Sequence, residues 1–378
     1  MNFDYSDEQQ QLADSVRKYL ANEYDFEKRK AILNSASGTS DAVWAAFAEM
    51  GLTAIGLPEA DGGFGGGAVD LMAVMEACGE ALVVEPLLDN IGLAGRLVAR
   101  AGSASQRAAL LPGLIDGSLR LAFAGSEPGA RYSLAPVGTT ARGEGDGWVL
   151  DGEKCVVIGA SSASRLIVSA RTSGQAGDSA GVSLFIVDPR AAGVTLNPSR
   201  TVDGLRTADV SFNNLALGPD ALLGAAGGAL PLIEEAVDFA TALQCADAIG
   251  AMKSANEATL DYMKQRKQFG VPIASFQVLQ HRMVEMYICT EQARSMAILA
   301  ASKVDTATNP VERQRAVSAA KIKIADAARQ VSQESVQLHG GMGMSEELKV
   351  SHTFRRLTMI AQRFGDADHH LERYAALG

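Results

Sequence analysis

The sequence predicts an α+β chain in which a block of strands is flanked by two helical regions. Three observations carry this expectation. After Gly228 the chain runs in long helical stretches, Leu230 to about Lys264, Ser275 to Ser302 and Pro310 to Leu338, whose alanine-rich faces suit close antiparallel packing. Between about Leu119 and Gly228 the apolar residues fall in short alternating runs broken by Gly, Asp and Ser, the period of half-buried strands. Before Leu119 the period returns to that of helices. The expected division is 1–118 helical, 119–228 β and 229–378 helical.

The elements follow in order. Ser6 with Gln9 forms a capping-box pattern for a helix through Tyr19. Ser40-Asp41 starts another, with Val43, Ala46, Phe47 and Met50 on one face. The five glycines of segment 57–67 dictate a loop. Ala68 to Val84 is helical again, and its Met, Ala and Leu stripe reads as core packing. The strands are expected at Leu121–Phe123, Trp148–Leu150, Val156–Ile158, Leu166–Val168, Leu184–Val187 and Ala208–Phe212, antiparallel, in a small barrel or sandwich. Gly145-Asp146-Gly147 and Asp151-Gly152 supply hairpin turns. A last helix starts near Asp368.

Composition narrows the function. A formal charge of −10 excludes a general nucleic-acid or anionic-membrane surface. Cys78, Cys155, Cys245 and Cys289 lie far apart with no C-x-x-C pair, as expected of reduced thiols in a cytoplasmic protein without a zinc site. The acidic opening Met1-Asn2-Phe3-Asp4-Tyr5-Ser6-Asp7-Glu8 lacks a signal-peptide pattern, and no apolar run reaches the roughly 20 residues that span a bilayer. His369 and His370 are adjacent, so on a helix they point about 100° apart and do not converge on one metal ion.

The chemistry is concentrated in two motifs. Arg266-Lys267-Gln268-Phe269-Gly270 is followed at Gln277 by a second amide, and Gln337-Leu338-His339-Gly340-Gly341-Met342-Gly343 lies downstream. An arginine pairs with a pyrophosphate, a planar ring lies against an adenine, and bare glycine backbone approaches phosphate oxygens closely. The spacing R-K-x-F-G-(x6)-Q with Q-x-x-G-G-x-G resembles the FAD site of acyl-CoA dehydrogenases, and the resemblance covers essentially the whole chain. It includes Gly56-Leu57-Pro58-Glu59-Ala60-Asp61-Gly62-Gly63, similar to the family's G-x-P-E-x-x-G-G. It implies the acyl-CoA dehydrogenase fold, with an N-terminal helical domain, a central β domain and a C-terminal four-helix bundle. The stretches Arg356–Ile360 and Phe364–Leu371 most resemble the small subunit of pimeloyl-CoA dehydrogenase and related two-subunit enzymes.

The resemblance assigns further residues. Phe123-Ala124-Gly125-Ser126-Glu127-Pro128-Gly129 is similar to the family's Y-x-x-[TS]-E-P-G, which makes Ser126 the candidate contact to the flavin pyrimidine edge. Fixed donors there stabilise the negative charge of the reduced ring. The segment from Asp151 to Gly159 matches N-G-x-K-x-W-I-T-N in position, yet Val156 stands at the tryptophan and Ile158 at the threonine, and neither donates a hydrogen bond. Alignment on Phe354-Arg355 places Phe364 at the family's glutamate base, Gly365 at the glycine and Asp366 at the threonine. The alternative base position falls at Ala240. Asp366, with Asp368, is the nearest carboxylate, and Asp366 is the candidate base. Val237-Asp238-Phe239-Ala240-Thr241 occupies the family's F-D-x-x-R, keeping Asp238 as a candidate coenzyme A contact but not the arginine.

The half that clasps ADP is thus complete, while the half that holds the ring and removes the proton is eroded. In this family each FAD bridges two subunits, so the resemblance implies one subunit of an α2β2 acyl-CoA dehydrogenase. Its Arg266, Phe269, Gln277, Gln337 and Gly341 would clasp a flavin whose ring lies in a paralogous partner. The family also implies an electron-transferring flavoprotein as acceptor. A flavin monooxygenase or oxidase on the same fold, a non-catalytic partner subunit and a homotetramer with Asp366 as base stay open on sequence alone. So does the acyl group, with a dicarboxylyl-CoA and a steroid side chain both compatible with the resemblance.

Overall fold

The computed structural model describes residues 5–378; the first four residues of the acidic N-terminus lie outside the described residues. The N-terminal helices are α1 (Asp7–Glu23), α2 (Phe26–Asn34), α3 (Asp41–Glu49), α4 (Ala68–Ala81), α5 (Arg96–Ala101) and α6 (Ala104–Ile115). The strands β1 (Leu121–Ala124), β2 (Thr140–Glu144), β3 (Gly147–Ile158), β4 (Arg165–Arg171), β5 (Val182–Val187), β6 (Val194–Arg200), β7 (Arg206–Leu217) and β8 (Leu222–Leu223) come next. The rest is α7 (Leu230–Gln265), the short strands β9 (Lys267–Gln268) and β10 (Val271–Pro272), and then α8 (Gln277–Thr306), α9 (Pro310–His339), α10 (Lys349–Gln362) and α11 (Ala367–Ala376). This is the expected order of helical, sheet and helical regions. By packing, the chain divides into two compact units: one holds the described residues up to Ala31, Gly67–Val83 and Thr241–Gly378, the other Ile32–Gly66 and Val84–Ala240.

In the sheet unit the strands run β6-β7-β3-β2-β4-β5-β8, with β1 beside β4. The expectation of a purely antiparallel arrangement is corrected: β1 pairs parallel with β4, Leu121 opposite Arg165. The expected turn at Asp151-Gly152 is also corrected. Residues 148–150 and 156–158 belong to one strand, β3, and Gly152, with φ 140°, sits at a register shift against β7. A β-bulge absorbs the turn-forming dipeptide without reversing the chain. The Gly145–Gly147 turn does join β2 to β3. Leu150, Val168, Phe185 and Phe212, from four strands, share one buried cluster, so the sheet curls around a single core. Each such side chain contributes about 1.5–3 kcal/mol by leaving water.

The helical unit is set by its caps and one close crossing. Ser6 and Gln9 form the capping box of α1, which runs on to Glu23 rather than stopping at Tyr19. Asn309 caps α9, with Pro310 as its first residue. Gly67 has no side chain to cap α4, and Asp305 from α8 takes the task, accepting the Ala68 and Val69 N–H groups at 2.8 and 3.0 Å. Met72 and Met75 of α4 are buried, as the core reading expects. At the crossing of α4 with α7, a Cβ built on Gly79 would lie 2.0 Å from the Asp247 carbonyl oxygen, and one on Gly250 would lie 1.9 Å from that of Glu76. α8 begins at Gln277, two residues later than expected, because Ile273–Ser275 forms a 3-10 turn.

Candidate functional site

The two dinucleotide motifs are brought to one end of the helical unit. Past Gln265 the chain enters the β9–β10 hairpin, with Phe269 and Gly270 at its tip. Arg266 is pinned at the hairpin base: its N–H donates to the Tyr262 carbonyl, and its carbonyl accepts from the Ile273 N–H, both at 2.8 Å. Phe269 is in the left-handed region (φ 55°) and 92 % exposed, its ring edge-on to Phe276 at 6.1 Å. Gln277 opens α8 immediately after Phe276, and Gln337 lies in the last turn of α9 ahead of Gly340 and Gly341. Two contacts bind the ends of α7 and α9. Thr259 and Ser335 share a hydroxyl hydrogen bond at 2.7 Å, and Tyr262 stacks on His339 at 4.4 Å between centroids. The Arg282–Glu334 ion pair at 2.6 Å fastens the start of α8 to the same end. His339 donates from Nδ1 to the Ser335 carbonyl at 2.8 Å, and burial holds its pKa below the usual histidine value.

The chemistry of this end fits the ADP half of a dinucleotide. Arg266, Phe269, Gln277, Gln337, Gly340 and Gly341 are all exposed. A Cβ on Gly270, Gly340 or Gly341 would meet nothing within 4 Å, so the backbone there is open to approach. Exposing a phenyl ring forgoes about 1.5–3 kcal/mol of burial, which a stacked base would restore.

The segments marked as ring contacts meet in the sheet unit. Ser126 is exposed, and its carbonyl accepts from the Cys155 N–H at 2.9 Å. Beneath them lies a polar network that the sequence reading missed. The buried Lys154 donates to Glu127 at 2.5 Å and to the Ser169 hydroxyl at 3.0 Å, and Glu127 also accepts the Thr139 N–H at 3.0 Å. Burial opposes ionisation of Glu127, but the Lys154 ammonium and the backbone donors hold its carboxyl below the usual range. Both residues lie in the Phe123–Gly129 and Asp151–Gly159 motifs; the signal available was a lysine and a glutamate in segments that had to converge. Val156 occupies the left-handed region at φ 52°, uncommon for a β-branched residue, and is 53 % exposed, with its N–H on Asp209 at 2.9 Å. Ile158 is buried.

The remaining candidates lie elsewhere. Asp238, Ala240 and Thr241 are buried. Asp366 is the N-cap of α11, accepting the His369 N–H at 2.9 Å. The turn before it is held from below: Lys321 of α9 donates to the carbonyls of Ile360 (2.8 Å) and Gly365 (2.7 Å), and His370 Nε2 donates to that of Phe364 at 3.0 Å. Phe364 is in the left-handed region (φ 61°), with the Arg363 guanidinium 4.5 Å from its ring centre. Asp366→Ala is expected to lower stability by about 1 kcal/mol, and Asp366→Asn, which caps equally well, to change it little, as read by thermal denaturation.

Helical regions before and after a curled sheet, with an exposed guanidinium–phenyl–glycine end, define a flavin-dependent dehydrogenase. The chain belongs to the acyl-CoA dehydrogenase family: the family's N-terminal domain matches residues 6–118, its middle domain 122–215 and its C-terminal domain 229–376. It is 31 % identical over 373 residues to acyl-CoA dehydrogenase FadE12 of Mycobacterium tuberculosis, covering 95 % of this chain and 93 % of that protein. Among solved structures, a variant of the Tcur3481–Tcur3483 steroid ACAD is 29 % identical with a TM-score of 0.87, covering 98 % of this chain and 97 % of that one. The butyryl-CoA dehydrogenase of Megasphaera elsdenii, 23 % identical, shares the fold with a TM-score of 0.91 over 100 % of this chain and 99 % of that one. The protein is accordingly an FAD-dependent oxidoreductase of acyl-CoA thioesters. No described helix is long and apolar enough to cross a membrane.

Proposed function

We propose that this chain is one subunit of a heteromeric, tetrameric acyl-CoA dehydrogenase, similar in kind to the small subunit of pimeloyl-CoA dehydrogenase. It contributes the clasp for ADP to a flavin whose ring is held by a paralogous partner. The observation that carries this reading is the contrast between the two halves. The clasp residues are present and exposed at one end of the helical unit, with Phe269 bare, while the ring positions hold Val156 and a buried Ile158. In this reading Arg266 pairs with the pyrophosphate, Phe269 covers the adenine, Gln277 and Gln337 hydrogen-bond the dinucleotide, and Gly340 and Gly341 admit its phosphates. When bound, FAD supplies the hydride acceptor for α,β-dehydrogenation. The carboxylate that takes the α-proton belongs to the partner, and Asp366 serves as a helix cap.

The steroid ACAD relative favours a bulky steroid side-chain acyl group over a dicarboxylyl one. Asp238 takes a coenzyme A contact by its motif position, and Ser126 a contact to the pyrimidine edge of any ring seated on this chain. An electron-transferring flavoprotein as acceptor and a cytoplasmic setting complete the reading. The domain limits are proposed at 118/119 and 228/229, supported by the end of α6 at Ile115, the start of β1 at Leu121 and the start of α7 at Leu230.

Flavin content tests the assignment. Expressed alone, the chain is expected to purify nearly colourless, and co-expression with the paralogue to give a yellow assembly. In that assembly Arg266→Ala weakens FAD binding by about 10- to 100-fold, the range for losing a charge-assisted contact. Asp366→Asn in the same assembly leaves turnover unchanged. Stoichiometric yellow homotetramers that oxidise acyl-CoA rule the heteromeric role out. Loss of turnover in Asp366→Asn at unchanged Tm instates Asp366 as the base.

A further inference from the structure

A cavity of about 210 Å³ lies within the helical unit, away from the β9–β10 hairpin. Its walls come from α1, the turn into α2, the end of α4 and the start of α10; Arg17, Tyr24, Phe26, Glu80, Ala81 and Lys349 are its defining residues. We propose that it is a binding site for a small carboxylate with a compact apolar body. This inference does not depend on the heteromeric reading.

The argument starts from the charges in the wall. The Glu80 carboxylate is already shared by Arg17 at 3.2 Å and Lys253 at 3.0 Å. Asp25 is turned to the N-terminus of α2, accepting the Lys28 N–H at 2.9 Å. Both acidic side chains of the wall are therefore engaged. Lys349 is not matched in this way. Among the described residues its ammonium makes one hydrogen bond, to the Glu80 carbonyl at 2.6 Å, which leaves two N–H groups for a ligand. Arg29 adds a further cation, its Nε on the Leu82 carbonyl at 2.6 Å. Burial first, and then the charge of Arg29, push the Lys349 pKa below its ordinary value, while Glu80 and Glu257 pull the other way. An ammonium with two unengaged N–H donors beside an accessible cavity attracts an anion.

The other walls select the ligand body. Phe26 and Ala81 offer partly exposed aromatic and aliphatic surface, backed by the buried Leu20, Tyr24 and Ala77, so an apolar group gains by entering where a strongly hydrated ion does not. The volume suits a molecule the size of benzoate. Inorganic phosphate, with charge but no apolar body, is the contrasting anion.

Titration calorimetry of the full chain with benzoate, benzamide and inorganic phosphate tests this. Benzoate is expected to bind saturably and to raise Tm; benzamide, of the same shape without the charge, binds at least about tenfold more weakly. Lys349→Met abolishes benzoate binding and Lys349→Arg keeps it. Ala81→Leu fills the cavity without altering any charge and also abolishes binding, so the site is testable even if Lys349→Met does not fold. The proposal is overturned by an absence of saturable benzoate binding or by benzamide binding equally well. Phosphate binding as tight as benzoate, or undiminished benzoate binding in either abolishing variant, overturns it too.

Discussion

Gly250→Ala is expected to be among the most damaging single methyl additions to this protein, with a loss of about 3 kcal/mol, the upper end of the range for overpacking. The new Cβ would stand 1.9 Å from the Glu76 carbonyl oxygen and 2.8 Å from the Glu80 nitrogen, both backbone atoms of α4 that no side-chain rotation relieves. Gly79→Ala drives the same crossing apart from the other side, its Cβ 2.0 Å from the Asp247 carbonyl oxygen. The consequence spreads along α4, because Glu76 holds Arg294 at 2.9 Å and the Tyr5 hydroxyl at 2.9 Å, and Glu80 holds Arg17. Urea denaturation of the two variants should show lowered midpoints of similar size. The double variant should cost less than the sum, since one separation of the helices relieves both contacts. Wild-type midpoints in either variant would mean that the helices do not cross here.

Lys321→Met is the second large effect, about 3 kcal/mol at pH 7.5, with a pH signature of its own. The lysine is fully buried, and its ammonium serves the carbonyls of Ile360, Ala361 and Gly365, the first two being C-terminal carbonyls of α10 that the helix itself leaves unpaired. Methionine fills the volume but leaves these acceptors buried and unsatisfied, at about 1 kcal/mol or more each. Burial pushes the Lys321 pKa down to about 8 from the ordinary 10.5, with Cys245 and Asp366 opposing the shift and Arg363 adding to it. Between these values the unfolded chain carries a proton that the folded one has lost, so this lysine makes stability rise with pH; below about 8 both states are protonated and its contribution is level. Cys245 acts in the opposite sense: burial pushes its pKa up to about 12 from 9.0, so stability falls through that window. The rising arm is therefore clearest between pH 8 and 9, where wild type gains about 1 kcal/mol that Lys321→Met does not. Urea melts at half-unit steps measure this as a widening gap between the two proteins; a gap that stays constant would show that Lys321 does not titrate there.

The two motifs of the proposed clasp stand out in the sequence because each is local. Arg266 to Gln277 spans one hairpin and a helix start, and Gln337 to Gly343 spans one helix end, so the residue types stand at readable spacing. The capping of α1 and α3 was legible for the same reason, since an N-cap is a three-residue event, whereas the Asn309 cap of α9 emerged only in the structure. The parallel pairing of β1 with β4 was not, because strand direction depends on a partner more than forty residues away. Nor was the Gly152 bulge: Asp-Gly describes a turn and a bulged strand equally well until β7 lies alongside. Lys321 looked like any helical lysine; that it lies under α10 and the turn to Asp366 follows from three-dimensional packing alone.

The amino-acid order by itself determined the succession of helices, strands and helices and the two motifs proposed as the dinucleotide clasp, because caps, periodicity and motif spacing are short-range properties of the chain. The tertiary structure alone decided which long-range partners meet. It set α4 against α7 at two glycines, turned Asp305 into a cap for a distant helix, made Asp366 the cap of α11 and left Lys349 with spare donors at a cavity. Those outcomes depend on desolvation and on contacts between residues remote in sequence, and neither is encoded in the spacing of neighbours.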